Sequence, residues 1–256
     1  MPIEEKNKFW SLYKRKKETG YVFFTEKKEQ IENNIFTYLV CNIDLDILKC
    51  AIEIGKKKSE FTMNQNQANI PRDAVTKLKK CSQGVLAEMF VHFLLMERYG
   101  FDVKRYDLER KTFQYSPEEY DLLIVSKNNE YEIESRSSNI HHTSISKFVT
   151  TDVIIGPYGN AIKMTDELAE FHFRPIYMPD FIPFVEEYGK WHFNKQLIDG
   201  TIKLVITGVA TKEDMQKYGY HTSLGQRGTK YLVVDAKRIG DVNAMDNKFK
   251  IFKKSI

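Results

Sequence analysis

The 256-residue chain is long enough to close around one α/β core with a peripheral extension, and its 42% apolar and 13% aromatic residues exclude wholesale disorder. No apolar run approaches the length of a membrane span and the charged N-terminus lacks a signal-peptide pattern, so a cytoplasmic protein is expected. A net charge of +4 permits a nucleic-acid partner without demanding one.

Residues 4–18 read as a helix stopped by Gly20. Ile31, Ile35, Tyr38 and Leu39 recur at helical spacing and predict a second helix from Thr25 through Cys41, with a third from Asp44 to Lys57. The basic runs Lys14 to Lys17 and Lys56 to Lys58 read as solvated helix faces, offering at most contacts to a nucleic-acid backbone. Cys41, Cys50 and Cys81 are odd in number and lie in apolar helical patterns, which favours reduced core thiols over disulfides or a zinc cluster. The polar stretch of residues 59–69, ending at Pro71, marks a boundary between an N-terminal helical extension (1–70) and the main domain (71–256).

Beyond that boundary Val75, Leu78, Val85, Met89, Phe93 and Met96 predict a long helix over 72–99, kinked or interrupted at Gly84 and stopped at Gly100. Short strands follow at 101–106, 122–125 and 131–135, the last two joined by a turn at Lys127-Asn128-Asn129. Further strands are predicted at 151–155, 172–178, 203–207 and 231–235, and a helix over 212–218 is capped by Thr211 and ended by Gly219. Trp10 and Trp191 read as packing residues.

In the strand after the Asn-Asn turn, alternation puts Glu132, Glu134 and Arg136 on one face. Asp121 opens the preceding strand, and a tight turn would bring its carboxylate to that face. Carboxylates gathered in this way raise one another's pKa unless a divalent cation neutralises them. Magnesium is the expected cation, because it takes one or two carboxylates and fills its other positions with water and phosphate. Taken alone, the same alternation also describes an amphipathic edge strand with a solvated face.

The order of parts decides between these readings, and here the chain resembles the PD-(D/E)XK, or restriction-endonuclease-like, nuclease superfamily. Gly84-Val85-Leu86-Ala87-Glu88 looks like that family's first helix with its acidic residue at Glu88, followed by the strand Phe101-Asp102-Val103. Tyr120-Asp121-Leu122-Leu123-Ile124 looks like the aspartate strand, and Tyr131-Glu132-Ile133-Glu134-Ser135-Arg136-Ser137-Ser138 like the strand bearing the E-X-K signature. The likeness covers about a fifth of the chain. It implies an α/β fold with a restriction-endonuclease-like core, a central mixed β-sheet flanked by helices, plus the N-terminal helical extension.

The resemblance further implies a magnesium-dependent DNA endonuclease, with Mn2+ able to substitute, of the restriction or phage-defence kind. Asp121 and Glu134 would ligate the metal, Arg136 would stabilise charge developing on phosphate, and Glu132 or Glu88 would orient the water or a second metal. Arg136 departs from the family's lysine, since a guanidinium stays protonated and cannot act as a general base. A register shifted by two residues gives Glu132-Ile133-Glu134, an E-X-E variant, and both registers remain open. Two other functions stay in view: a nuclease-like DNA-binding subunit that cuts weakly or not at all, and a nuclease for RNA or structured DNA.

Ser137, Ser138, His141, His142 and Lys147 follow the site directly, and Arg227 and Lys230 lie in a glycine-containing segment from Gly219; both stretches are candidate nucleic-acid contacts. Duplex DNA is the expected partner, and a homodimer the assembly expected of an enzyme that cuts both strands. Pro179-Asp180 with Asp235-Ala236-Lys237 mimics the same signature, but no acid-bearing helix precedes the pair, which reads as a decoy.

Overall fold

The computed structural model describes residues 2–62, 73–109, 120–127, 129–140, 144–160, 168–179, 184–187, 190–224 and 229–256. Helix α1 (Pro2–Glu18) ends where Gly20 takes a left-handed φ of 68°, a conformation glycine adopts without cost. The next segment corrects the helix expected over 25–41. It is a hairpin of β1 (Phe24–Ile31) and β2 (Asn34–Cys41), with Ile31 opposite Asn34 across a two-residue turn. Glu32 in that turn has a φ of 52°, the positive value that tight hairpin turns require. Ile-Phe-Thr-Tyr-Leu-Val is rich in β-formers, and Thr37, Leu39 and Cys41 are buried on one face of the strand. Strand propensity overrides a helical spacing that rests on four residues.

Helix α2 (Leu45–Phe61) is capped by Asp44, whose carboxylate accepts from Ile47 N at 3.0 Å. Helix α3 (Ala74–Glu97) runs unbroken through Gly84 and is buried on all sides from Val85 to Leu95. There follow β3 (Asp102–Arg105), α4 (Tyr106–Glu109), β4 (Leu122–Ser126), β5 (Asn129–Ser135), β6 (Ser138–Asn139), α5 (Ile145–Thr151) and β7 (Val153–Asn160). The strand expected over 172–178 is instead two, β8 (Phe171–Phe173) and β9 (Ile176–Met178), broken at Arg174-Pro175, where proline offers no N–H to a ladder.

The remaining elements are β10 (Phe184–Glu187), β11 (Lys190–Phe193), β12 (Lys203–Ile206), β13 (Val209–Thr211), α6 (Lys212–Tyr218), β14 (Tyr220–Thr222), β15 (Thr229–Asp235), α7 (Ala236–Ile239) and α8 (Val242–Ser255). The Thr211 cap and the Gly219 stop of α6 are as the sequence predicts, with a complete capping box.

The fold is mixed α/β. One sheet has the described strand order β13-β8-β5-β4-β3, and a second β1-β2-β12-β9-β6. A third, β14-β15-β7, and the β10-β11 hairpin share no ladder with them, although the third sheet packs into a common core with both. The first two sheets are joined by a continuous parallel ladder, because β5/β8 runs on into β6/β9 through Arg136 N to Phe173 O (3.0 Å), Ser138 N to Pro175 O (3.0 Å) and Ile140 N to Tyr177 O (3.1 Å). The expected N-terminal extension is therefore not a separate helical unit: β2 pairs with β12, while α1 and α2 share one apolar core with α3, β4, β5 and α8. Among the described residues no helix is long and apolar enough to cross a membrane, and all three cysteines are buried and free.

Two packing features can be tested. A Cβ on Gly55 of α2 would lie 2.7 Å from Ser82 Cα of α3, so Gly55→Ala should destabilise the protein by about 1–3 kcal/mol in chemical denaturation. His92 of α3 is wholly buried against Phe9 and Trp10, and burial together with the charge of Arg105 depresses its pKa from 6.5 to about 3. Above pH 6.5 neither folded nor unfolded chain protonates it. Below that only the unfolded chain takes the proton, so stability falls by up to roughly 1.4 kcal/mol per pH unit until the folded ring also charges. His92→Leu should flatten the acid limb of the stability–pH curve across that window.

Candidate active site

Strands β4 and β5 are antiparallel, with Leu122 opposite Ile133 and Leu123 opposite Glu132. One step further along this register, Asp121 stands across from Glu134. The backbone fixes it there. Ser135 N donates to Asp121 Oδ2 at 2.7 Å, and Tyr106 N donates to the Asp121 carbonyl at 3.2 Å. On the other side of β5 the parallel partner β8 places His172 beside Glu134, with Nδ1 2.7 Å from Glu134 Oε2. Arg136 Nε donates to Glu134 Oε1 at 2.5 Å, so both oxygens of Glu134 are engaged.

Two more acids approach from outside the hairpin. Glu88 of α3 is 5% exposed and Asp107 of α4 is 2% exposed, burial that an isolated carboxylate does not tolerate. The ammonium of Lys58, from the last turn of α2, lies 2.9 Å from Asp107 Oδ2 and 3.6 Å from Glu88 Oε1. Arg105, 1% exposed at the end of β3, adds a second buried cation; its guanidinium lies over the Phe9 ring, and none of its nitrogens has a hydrogen-bond partner among the described residues.

Proton affinities follow this geometry. Burial raises the pKa of Glu88; Lys58 opposes that rise, while Asp107 and Asp121 add to it. Burial likewise raises Asp121, with the Ser135 N–H pulling the other way and Glu134 pushing up. Glu134 ends below its ordinary value, because its hydrogen bond from His172 and the charge of Arg136 outweigh burial. Burial alone would lower Lys58, but Asp107, Glu88 and Asp121 hold it above its ordinary range and keep it charged. With Glu134 ionised, the shared proton of the Glu134–His172 contact belongs on Nδ1. That leaves Nε2 buried with no hydrogen-bond partner among the described residues.

The other expected site residues fall in several places. Glu132 lies on β5 but is exposed and away from the buried acids, which reduces the expected three- or four-acid face on the hairpin to Asp121 and Glu134. Ser137 is half-buried, and Ser138 Oγ accepts from Arg174 Nε at 3.0 Å, a contact within the ladder between the sheets. Lys147 is exposed on α5, and Lys230 is exposed on β15 in the third sheet. His141, His142 and Arg227 lie outside the described residues, as does Asp180 of the decoy pair.

Sequence reasoning missed Lys58, Asp107 and His172. Lys58 is the third residue of a basic run that read as solvent-facing, and Asp107 carries no motif. A polar residue between two phenylalanines in Phe171-His172-Phe173 was the one visible signal. Among the described residues no set of three or more Asp, Glu, His or Cys side chains is gathered as a ready-made metal cage. Glu134 is turned to Arg136 and His172, and Lys58 sits between Glu88 and Asp107.

The chain matches no family model and no solved structure. It is similar to "Uncharacterized protein MJECS01" of Methanocaldococcus jannaschii, at 23% identity over 224 residues that span 79% of this chain and 81% of that protein.

Proposed function

We propose that the chain is a metal-dependent nuclease of the PD-(D/E)XK type that hydrolyses phosphodiester bonds in DNA. The observation that carries this reading is the pairing of β4 with β5, which sets Asp121 opposite Glu134 while α3 brings Glu88 to the same buried neighbourhood. Acid helix, strand, aspartate strand and acid strand thus converge in space as well as in sequence.

The donor set suits a hard divalent cation, because two oxygen-only carboxylates are what magnesium takes from a protein when water and phosphate complete its shell. Asp121 and Glu134 would hold it, and bound Mg2+ or Mn2+ would supply Lewis acidity and an acidified water. His172 fixes the Glu134 carboxylate from behind, as a second hydrogen-bonding layer does in metal sites. Arg136 provides a planar cation at the end of β5, suited to a phosphate oxygen once substrate competes with Glu134. Lys56 and Lys57 directly precede Lys58 on α2, and their positive charge favours a polyanion there. One observation favours a second reading, a DNA-binding subunit that does not cut: the Arg136–Glu134 ion pair competes directly with a metal for Glu134.

Purified protein incubated with supercoiled plasmid, linear duplex or RNA, in magnesium or chelator, separates these functions. Cleavage of plasmid and duplex in magnesium alone is expected, and binding without cleavage would favour the second reading. Asp121→Ala and Glu134→Ala should each abolish cutting while leaving DNA binding in calcium largely intact; a variant that cuts at the unmutated rate removes that residue from the site. His172→Leu should weaken magnesium affinity by roughly 10- to 100-fold in calorimetric titration, and His172→Asn, which retains an N–H donor, should recover most of the loss.

A further inference from the structure

Lys58 is the cation of this site that β5 does not explain. Gly55 lets α2 approach Ser82 of α3 closely, and the last turn of α2 then overlies Glu88. Asp107, placed directly after β3, takes a hydrogen bond from Lys58 Nζ at 2.9 Å and orients it. At 3.6 Å the Glu88 oxygen is within ionic reach but beyond hydrogen-bond range. An ammonium has three donors, and among the described residues Lys58 makes one hydrogen bond, to Asp107. A quarter of the Lys58 side chain stays exposed, so water or substrate can reach it, and Glu88 and Asp121 act on its charge together with Asp107. Arg136, in the position where the E-X-K pattern has lysine, directs its Nε and Nη2 to Glu134 instead.

We propose that Lys58, delivered from the N-terminal helix α2, is the active-site lysine of this chain: anchored on Asp107, its ammonium binds the scissile phosphate. This assignment rests on the nuclease reading above. In the hydrolysis the water oxygen bonds to phosphorus as the bond from phosphorus to the departing sugar oxygen breaks with its electron pair. The attacking water releases a proton to solvent and the departing oxygen takes one up. Lys58 therefore contributes charge and hydrogen bonds, and no net proton.

Lys58→Cys followed by alkylation with 2-bromoethylamine tests the assignment, because alkylation rebuilds an ammonium of nearly the same length and the three native cysteines are buried. Lys58→Cys should lose about 100-fold or more in magnesium-dependent cleavage, the cost of removing one positioned donor, and should melt at a lower temperature because Glu88 and Asp107 lose their cation, with calcium-supported DNA binding retained below that melting point. Aminoethylation should restore most of the rate. Cutting by Lys58→Cys within about threefold of the unmutated rate, or no recovery in an alkylated protein that still binds DNA, overturns the proposal.

A second measurement does not depend on that variant's folding. The Lys58 13Cε resonance, assigned by its absence in Lys58→Arg, should shift when duplex DNA is added in calcium, and an unmoved resonance overturns the proposal equally. If the unmutated protein cuts no nucleic acid in magnesium, the nuclease reading itself falls; if it cuts and only the Lys58 tests fail, the Lys58 assignment falls alone.

Discussion

Carboxylates drawn wholly or partly out of solvent govern this structure. Glu88, Asp107, Asp121 and Glu134 approach one another where α3, α4, β4 and β5 meet, and burial of so much negative charge is untenable without cations beside it. The fold brings those cations from three places, Lys58 on α2, Arg105 on β3 and Arg136 beyond β5, and His172 on β8 adds a hydrogen bond to Glu134. The site is consequently an assembly of the whole core. The hairpin positions two acids, and everything else that makes them tolerable arrives over long stretches of chain.

This division of labour explains the proton affinities. Glu134 has two donors on its two oxygens and is held ionised, whereas Glu88 and Asp121 lean on each other and on one lysine, and both resist ionisation. A group that resists ionisation when alone gains most from a cation that neutralises it. On the proposed nuclease reading, that asymmetry favours uptake of a hard ion beside Asp121 and Glu88.

Local pattern was legible where a single interaction dominates. The Asp44 and Thr211 caps, the stops at Gly20, Gly100 and Gly219, and the β4–β5 hairpin all rest on short-range chemistry that a sequence displays. Asp121, Glu134 and Arg136 could be grouped from the sequence for that reason, and the structure sets them side by side. The hairpin at 24–41 was misread because four apolar residues satisfied a helical spacing by coincidence, while the strand's environment is set by β12 more than 160 residues away. Helix α8 went unread although the sequence displays it: Val242, Met245, Phe249 and Phe252 recur at helical spacing and seal the core. Lys58 and His172 were invisible as site residues because proximity to Glu88 and Glu134 is created by tertiary packing alone.

The parallel ladder that leaves one sheet as β5/β8 and enters the other as β6/β9 has a mechanical meaning. Arg136 and Arg174 occupy the link between the sheets, two residues past Glu134 and His172 respectively. Glu134 belongs to β5, and the arginine beside it to the link between the sheets. The Arg136–Glu134 ion pair therefore spans the junction, tying the end of one sheet to the first residue of the link that leads into the other.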